Sequence, residues 1–262
     1  MSDLIQRIQA ALQSGEAAKR GAHFLVGHAL HALPASLRRW LYRGTQHYCP
    51  LCSSDLSTFL KLHRDFFAFC PVCWSLQRHR LIWLFLQQQS LLSNHVPLRL
   101  LHIAPEPALA AKFRAIAHIR YISADLHDPR AMERMDINDI RHPAGAFDAT
   151  LCSHVLEHVA DDRRAMRELH RVLVSGGWAL ILAPAREGPT IEDPTIKDPN
   201  ERERRFGQHD HVRIYGYTDL MQRLRNAGFN VEVYTSEQVA SPRDVQRFGL
   251  SPSERLWLCW KE

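Results

Sequence analysis

The stretch Phe147-Asp148-Ala149-Thr150-Leu151-Cys152-Ser153-His154-Val155-Leu156-Glu157-His158-Val159 decides how the rest of the chain is read. Its first seven residues, Phe147–Ser153, are mostly apolar and read as a strand that ends in a polar Ser153-His154 pair. Asp161–Leu173 follows as an amphipathic helix, with Gly176-Gly177 as a turn and Trp178–Ala183 as the next strand. Upstream, Leu98–Ala104 is a buried strand, residues 107–117 a helix and Ile119–Ala124 a second strand. Downstream, Tyr217–Ala227 is a helix, and Phe229–Tyr234 and Leu256–Trp260 are the last strands. With no clear helix between them, these two suggest an antiparallel hairpin at the sheet edge.

Strands alternating with helices predict an α/β fold with a mostly parallel sheet covered on both faces. Such sheets bind ligands at the carboxyl ends of their strands, near the point where strand order reverses. That rule selects His102-Ile103-Ala104-Pro105-Glu106-Pro107, Asp125 with Leu126, Asp136-Ile137, and Ser153-His154. A carboxylate at the position of Asp125 can accept both hydroxyls of a nucleoside ribose. It can equally cap the start of a helix.

The order and spacing of three segments carry a resemblance. The Phe147–Val159 stretch resembles the fourth-strand motif of class I S-adenosylmethionine-dependent methyltransferases. Leu169-His170-Arg171-Val172-Leu173-Val174-Ser175-Gly176-Gly177 is similar to that family's helix and turn before strand five. Gly207-Gln208-His209-Asp210-His211-Val212-Arg213 then precedes a helix ending in Ala227-Gly228-Phe229. Together they span residues 98–262 and imply a Rossmann-like, seven-stranded sheet whose last strand runs antiparallel. They also imply the cofactor S-adenosylmethionine.

By this resemblance Asp125 holds the ribose, Asp136 and Ile137 contact the adenine, and Ser153 and His154 face the sulfonium and the acceptor. The first loop departs from the family. Glycines and an acidic residue are usual there, and this chain has His102, Ala104, Glu106 and Ala108 instead; Glu106 is placed to pair with the ammonium of the cofactor's methionine part. Methyl transfer asks the protein chiefly for alignment and removal of one proton. His154 is the first candidate base because an imidazole titrates near neutrality. His209, Asp210 and His211 are the second candidates, near a charged, three-proline stretch at 185–206 that reads as a lid-bearing loop.

In front of this domain stand Cys49-Pro50-Leu51-Cys52 and Cys70-Pro71-Val72-Cys73, separated by seventeen residues. Two such pairs match a four-thiolate tetrahedral site, with a hairpin between them. Zinc is the preferred ion, and iron is chemically compatible with the same ligands. Four protein ligands make the metal structural rather than catalytic. A methyltransferase-like domain preceded by such a cysteine module also resembles a bacterial subgroup. Residues 76–90 read as a linking helix, and an N-terminal helical segment fills residues 1–45, with helices at 3–13 and about 23–42, the second interrupted by Pro34. The domain boundaries expected are therefore 1–45, 46–76, 77–97 and 98–262.

Composition narrows the partners. No apolar run in the 262 residues is long enough to span a bilayer. The opening Met1-Ser2-Asp3-Leu4-Ile5-Gln6-Arg7 lacks the order of a signal peptide, which points to the cytoplasm and to reduced thiols. The net charge of +5 is spread rather than gathered on one element, so nucleic acid is a lesser expectation than a small-molecule or saccharide acceptor. Three other readings compete. His154-Val155-Leu156-Glu157-His158 fits the pattern of inverted zinc proteases, a glycine-free first loop fits a non-catalytic binding protein, and a cysteine module can grip RNA for an RNA methyltransferase.

Overall fold

The computed structural model describes Leu30 and residues 32–61, 68–92 and 96–262. The helix expected over 3–13, and the expected stretch before Leu30, lie outside them. The chain forms two compact units: one joins residues up to Gln89 with Ser236–Glu254, the other Ser90–Thr235 with Arg255–Glu262.

In the first unit, Pro34 starts a short helix, α1 (Ala35–Leu41), as proline's fixed φ favours at a helix start. Two small antiparallel pairs follow: β1 (Arg43–Cys49) with β2 (Ser54–Leu56), and β3 (Leu60–Lys61) with β4 (Ala68–Phe69). Helix α2 (Gln77–Gln88) buries Leu81, Ile82, Phe85 and Leu86, as the apolar spacing at 76–90 predicts.

The second unit is built on one sheet. Its elements are β5 (Leu98–Ile103), α3 (Pro107–Arg114), β6 (Ile119–Asp125), β7 (Glu133–Arg134), β8 (Phe147–Ser153), α4 (Asp162–Val172) and β9 (Leu173–Leu182). There follow β10 (Ala185–Arg186), β11 (Ile191–Glu192), α5 (Pro199–Phe206), β12 (Arg213–Gly216), α6 (Tyr217–Asn226) and β13 (Phe229–Thr235). The chain then enters the first unit as α7 (Ser236–Val239) and α8 (Pro242–Arg247), and returns as β14 (Arg255–Lys261).

The seven strands are ordered β13-β14-β9-β8-β5-β6-β7, and β14 runs antiparallel to both neighbours. This is the Rossmann-like, mostly parallel sheet that the sequence implies. Every residue of β8 except Asp148 is buried, as a strand covered on both faces must be. On one face Leu101, Ile103, Cys152, Ala179 and Ile181 join Met166 and Leu169 of α4 and Leu220 and Leu224 of α6 in one core. On the other, Phe113 of α3 stacks on Tyr121 and meets the ring of His102 edge-on.

Three expectations need correction. The last two strands pair antiparallel at the sheet edge as expected, with β13 outermost, but their connection carries two helices where no clear helix was expected. Gly176-Gly177 is not a turn before a strand: β9 begins at Leu173, and Gly176 (φ 75°) lies inside it. There the pairing with β8 shifts from Phe147↔Leu173 to Ala149↔Trp178, an irregularity a positive φ accommodates. The stretch 185–206 is not a plain loop either: it holds α5 and the short strands β10 and β11, which pair on either side of β12 in a three-stranded sheet. These strands are two to four residues long and carry prolines and charges around them, so no alternation announces them.

Candidate functional site

The strand order reverses between β5 and β8: the chain proceeds from β5 to β6 and β7 on one side, and from β8 to β9 on the other. A crevice therefore opens outside the carboxyl ends of this adjacent pair. Both strands end in a residue forced into the left-handed region, Ala104 at φ 49° and His154 at φ 54°. Neither is glycine, so each conformation costs roughly 1–2 kcal/mol. Neighbouring strands hold them there, for Ala104 N–H donates to Ala124 O and His154 N–H to Leu182 O. Paired strain of this kind, fixed from outside, collects where a ligand is gripped. The first loop thus keeps the turn that glycine commonly supplies.

Around Ala104 the other first-loop residues interlock. The fully buried His102 ring reaches the Tyr121 hydroxyl through Nδ1 (3.0 Å) and Glu106 Oε2 through Nε2 (2.7 Å). Burial pushes the Tyr121 phenol up to about 12, so it stays protonated. Glu106 occupies the N-cap of α3, where Pro107 sets the first helical turn.

Asp125 ends β6. Its Oδ1 accepts the backbone N–H groups of His127 (2.6 Å) and Asp128 (2.7 Å), which leaves Oδ2 without a protein partner among the described residues. It caps a turn rather than a helix, since no helix starts there. Leu126 beside it is 40 % exposed, a large apolar side chain left open just after the carboxyl end of β6. Asp136 is exposed and uses Oδ1 to accept Asn138 N–H, while Ile137 is buried in the core. Two further polar atoms are buried without a hydrogen bond: Ser153 Oγ at the end of β8 and Asn138 Oδ1 in the turn after β7. Unsatisfied buried groups are rare in folded proteins and mark places where a ligand atom completes the pairing. The residues present therefore fit an adenosine-type cofactor with an amino-acid tail.

The second cluster gathers beyond β8. Residues 155–159 form a turn, with His158 N–H donating to Val155 O, and Val212 N–H donates to Glu157 O, which docks the 207–213 segment on it. His154 Nδ1 stands 3.2 Å from Glu157 Oε1, and His158 Nδ1 3.3 Å from Asp210 Oδ2. His211 is buried, packs its ring edge-on against His158 and donates from Nδ1 to Phe206 O. Burial lowers the His211 pKa and favours the neutral ring. Of the four catalytic candidates, Asp210 and His211 thus come to His158, His154 comes to Glu157, and His209 is exposed on the same segment.

A buried ionic network supports this segment from below. Arg213 donates to Leu156 O (2.8 Å), Val159 O and Ala160 O (3.0 Å), fixing the turn that carries Glu157 and His158. Sequence reasoning met Glu157 only within the inverted-protease pattern and Arg213 only as the last residue of the 207–213 segment, and gave neither a place in this cluster. A glutamate and an arginine look alike in sequence whether solvated or buried, and the one available signal was Glu157 lying directly between Leu156 and His158.

In the first unit the four cysteines converge. Cys49 Sγ lies 3.7 Å from Cys73 Sγ and Cys52 Sγ 3.6 Å from Cys70 Sγ, and all four sulfurs fall within 4.8 Å of one another with no disulfide. Thiolates about 2.3 Å from one tetrahedral ion stand about 3.8 Å apart, which is the spacing found. The set therefore fits a four-thiolate metal. Arg80, fully buried on α2, donates to Ser75 O, Phe248 O and Gly249 O and stacks on Phe59 at 4.0 Å. Burial lowers its pKa, and the nearby thiols act against that shift.

Residues 94–181 match the family model of a methyltransferase domain. No protein of curated function matches the sequence. Among solved structures, the chain is similar to the [4+2]-cyclase SpnF, at 17% identity and a TM-score of 0.49, covering 78% of this chain and 88% of that one. It is similar to the YcgJ protein of Bacillus subtilis at 15% identity and a TM-score of 0.47, covering 70% and 99%. The phosphoethanolamine N-methyltransferase 2 of Haemonchus contortus, solved with S-adenosylhomocysteine, gives 12% and 0.48, covering 70% and 53%. Among the described residues no helix is long and apolar enough to cross a membrane.

Proposed function

We propose that this chain is an S-adenosylmethionine-dependent methyltransferase with a structural zinc ion on Cys49, Cys52, Cys70 and Cys73. The observation that carries the reading is the switch point itself, where Ala104 and His154 hold left-handed turns at the ends of adjacent parallel strands. Because Ala104 adopts the turn without glycine, we favour a working cofactor loop over a degenerate one. Asp125 Oδ2 serves the ribose, Asn138 Oδ1 and Ile137 the adenine, and Ser153 Oγ and Glu106 the methionine part. Leu126, just after β6, covers the ring. The bound cofactor supplies an activated methyl group.

The chain's own task is then to align an acceptor and take up its proton. His154, held against Glu157, is the base we favour, with His209, Asp210 and His211 on the facing segment as acceptor-binding groups. Their hydrogen-bonding character suits a small-molecule or saccharide hydroxyl better than a polyanion, and the spread of the +5 charge agrees. A four-thiolate zinc requires reduced cysteines, which suits the cytoplasm. It also carries net negative charge, which offsets the cost of burying Arg80.

Isothermal titration of the full-length, metal-loaded protein with S-adenosylmethionine and S-adenosylhomocysteine tests this reading. We expect micromolar binding, weakened by more than about tenfold in Asp125→Ala, as loss of a charged hydrogen-bond acceptor implies. A folded protein that binds neither compound overturns it.

A further inference from the structure

Glu157 is completely buried; His154 Nδ1 stands 3.2 Å from its Oε1, yet neither carboxylate oxygen accepts a hydrogen bond. A carboxylate in that state is costly unless a cation or donor completes it. One of its oxygens, one ring nitrogen of His158 and one of His211 all lie within 4.8 Å of one another. We propose that Glu157, His158 and His211 hold a second divalent transition-metal ion, distinct from the cysteine site.

Two features show the site to be built rather than accidental. A carbonyl oxygen only accepts, so the 3.0 Å contact of His211 Nδ1 with Phe206 O fixes the proton on Nδ1 and leaves the lone pair on Nε2. Ligating histidines are oriented in this way by a backbone carbonyl or a carboxylate on the other ring nitrogen. Asp210, at 3.3 Å from His158 Nδ1, gives the second histidine a carboxylate neighbour. Arg213 ties the Leu156–Ala160 turn from beneath, and Val212 N–H to Glu157 O joins the two segments that supply the ligands.

Two imidazoles and one carboxylate suit zinc, iron(II) or a similar first-row ion, and leave coordination positions open. Bound metal at such a set takes water or an oxygen of a second ligand. The site lies three residues beyond His154, at the carboxyl end of β8. An acceptor hydroxyl or carboxylate is therefore the class of ligand it recruits. The arrangement is not that of an inverted protease: His154 ends a strand and residues 155–159 form a turn, so His154 and His158 share no helical face.

Metal counting tests this independently of cofactor binding. Full-length protein dialysed against excess Zn²⁺ and desalted is analysed by elemental mass spectrometry beside Glu157→Gln and His211→Ala. We expect one more zinc per chain in the wild type than in either variant; taking the difference cancels whatever the cysteines hold. Co²⁺ added to wild type in which only the cysteines hold zinc is expected to give weak ligand-field bands without a thiolate charge-transfer band. A wild type that retains no ion beyond the cysteine complement overturns the proposal, whether or not the variants fold. An extra ion that persists in both variants overturns it equally. Loss of S-adenosylmethionine binding with the extra ion still present would strike the methyltransferase reading alone.

Discussion

The Tyr215 hydroxyl donates to Asp162 Oδ2 over 2.7 Å, and the same oxygen takes Arg223 Nη1 at 2.9 Å. Arg223 also reaches Glu192 Oε1 at 2.7 Å and Asp219 Oδ2 at 2.9 Å. This arginine joins the helix start after β8, the short β11 strand and α6 while its side chain stays 6 % exposed. Removing one member of a buried charge network leaves its partners unpaired, which costs about 3–5 kcal/mol. Arg223→Ala should therefore lower the urea midpoint substantially without changing the slope of the transition, as equilibrium unfolding followed by fluorescence would read.

Acid should weaken the same network. Hydrogen bonds from Arg223 and then Arg213 depress the Glu192 pKa to about 2, against an unfolded value of about 4.3. A depressed carboxyl stabilises the fold fully above its unfolded pKa, and that contribution is lost as pH falls toward the folded one. Thermal melts from pH 6 to pH 2 should show a stability slope between about pH 5 and pH 2 that is shallower in Glu192→Gln. Equal slopes in the two proteins would remove Glu192 as its source.

Strain at Ala104 can be read by relieving it. Glycine adopts φ 49° without penalty, so Ala104→Gly should stabilise the protein by about 1 kcal/mol, net of glycine's greater chain entropy. For a chain of this size the melting temperature should rise by about 2–4 °C, with cofactor affinity retained. A lower melting temperature would show that the turn is unstrained.

The four thiolates should bind folding to metal. Chelation of the ion, or Cys70→Ser, is expected to unfold the first unit, because its β-elements are only two to seven residues long. Circular dichroism after treatment with a strong chelator, and restoration on adding back zinc, would read this. An unchanged spectrum at full metal removal would mean that Arg80 and the packing of α2 suffice.

Sequence periodicity revealed the parts whose burial is regular. Phe147–Ser153 is apolar at nearly every position, and the strand is found with the expected ends. The cysteine pairs were legible because only a few chemistries use that spacing. What escaped was set by tertiary contact: Glu133–Arg134 is a strand only through its pairing with Ala124 and Asp125, and β14 slips between β9 and β13 with nothing local to announce it. Asp125, Asp136, Ser153 and Glu106 all fall at the sheet's carboxyl edge because the strand-end rule selects them by topology. Glu157 was quoted within a motif, yet its complete burial is a property of the packed turn and not of its neighbours in sequence.

The excursion of residues 236–254 into the first unit has a consequence for the order of events on the ribosome. Arg80 is synthesised early, directly after the cysteines, but two of its three carbonyl acceptors, on Phe248 and Gly249, belong to almost the last stretch made. The cysteine-bearing unit cannot satisfy its buried guanidinium until the chain is nearly complete. Sheet and cysteine-bearing unit are thus joined by a single thread: β14, the strand that finishes the sheet, follows directly on the segment that finishes Arg80. No single cleavage of the polypeptide frees one from the other, and a nascent chain halted before residue 248 would present a half-built version of both.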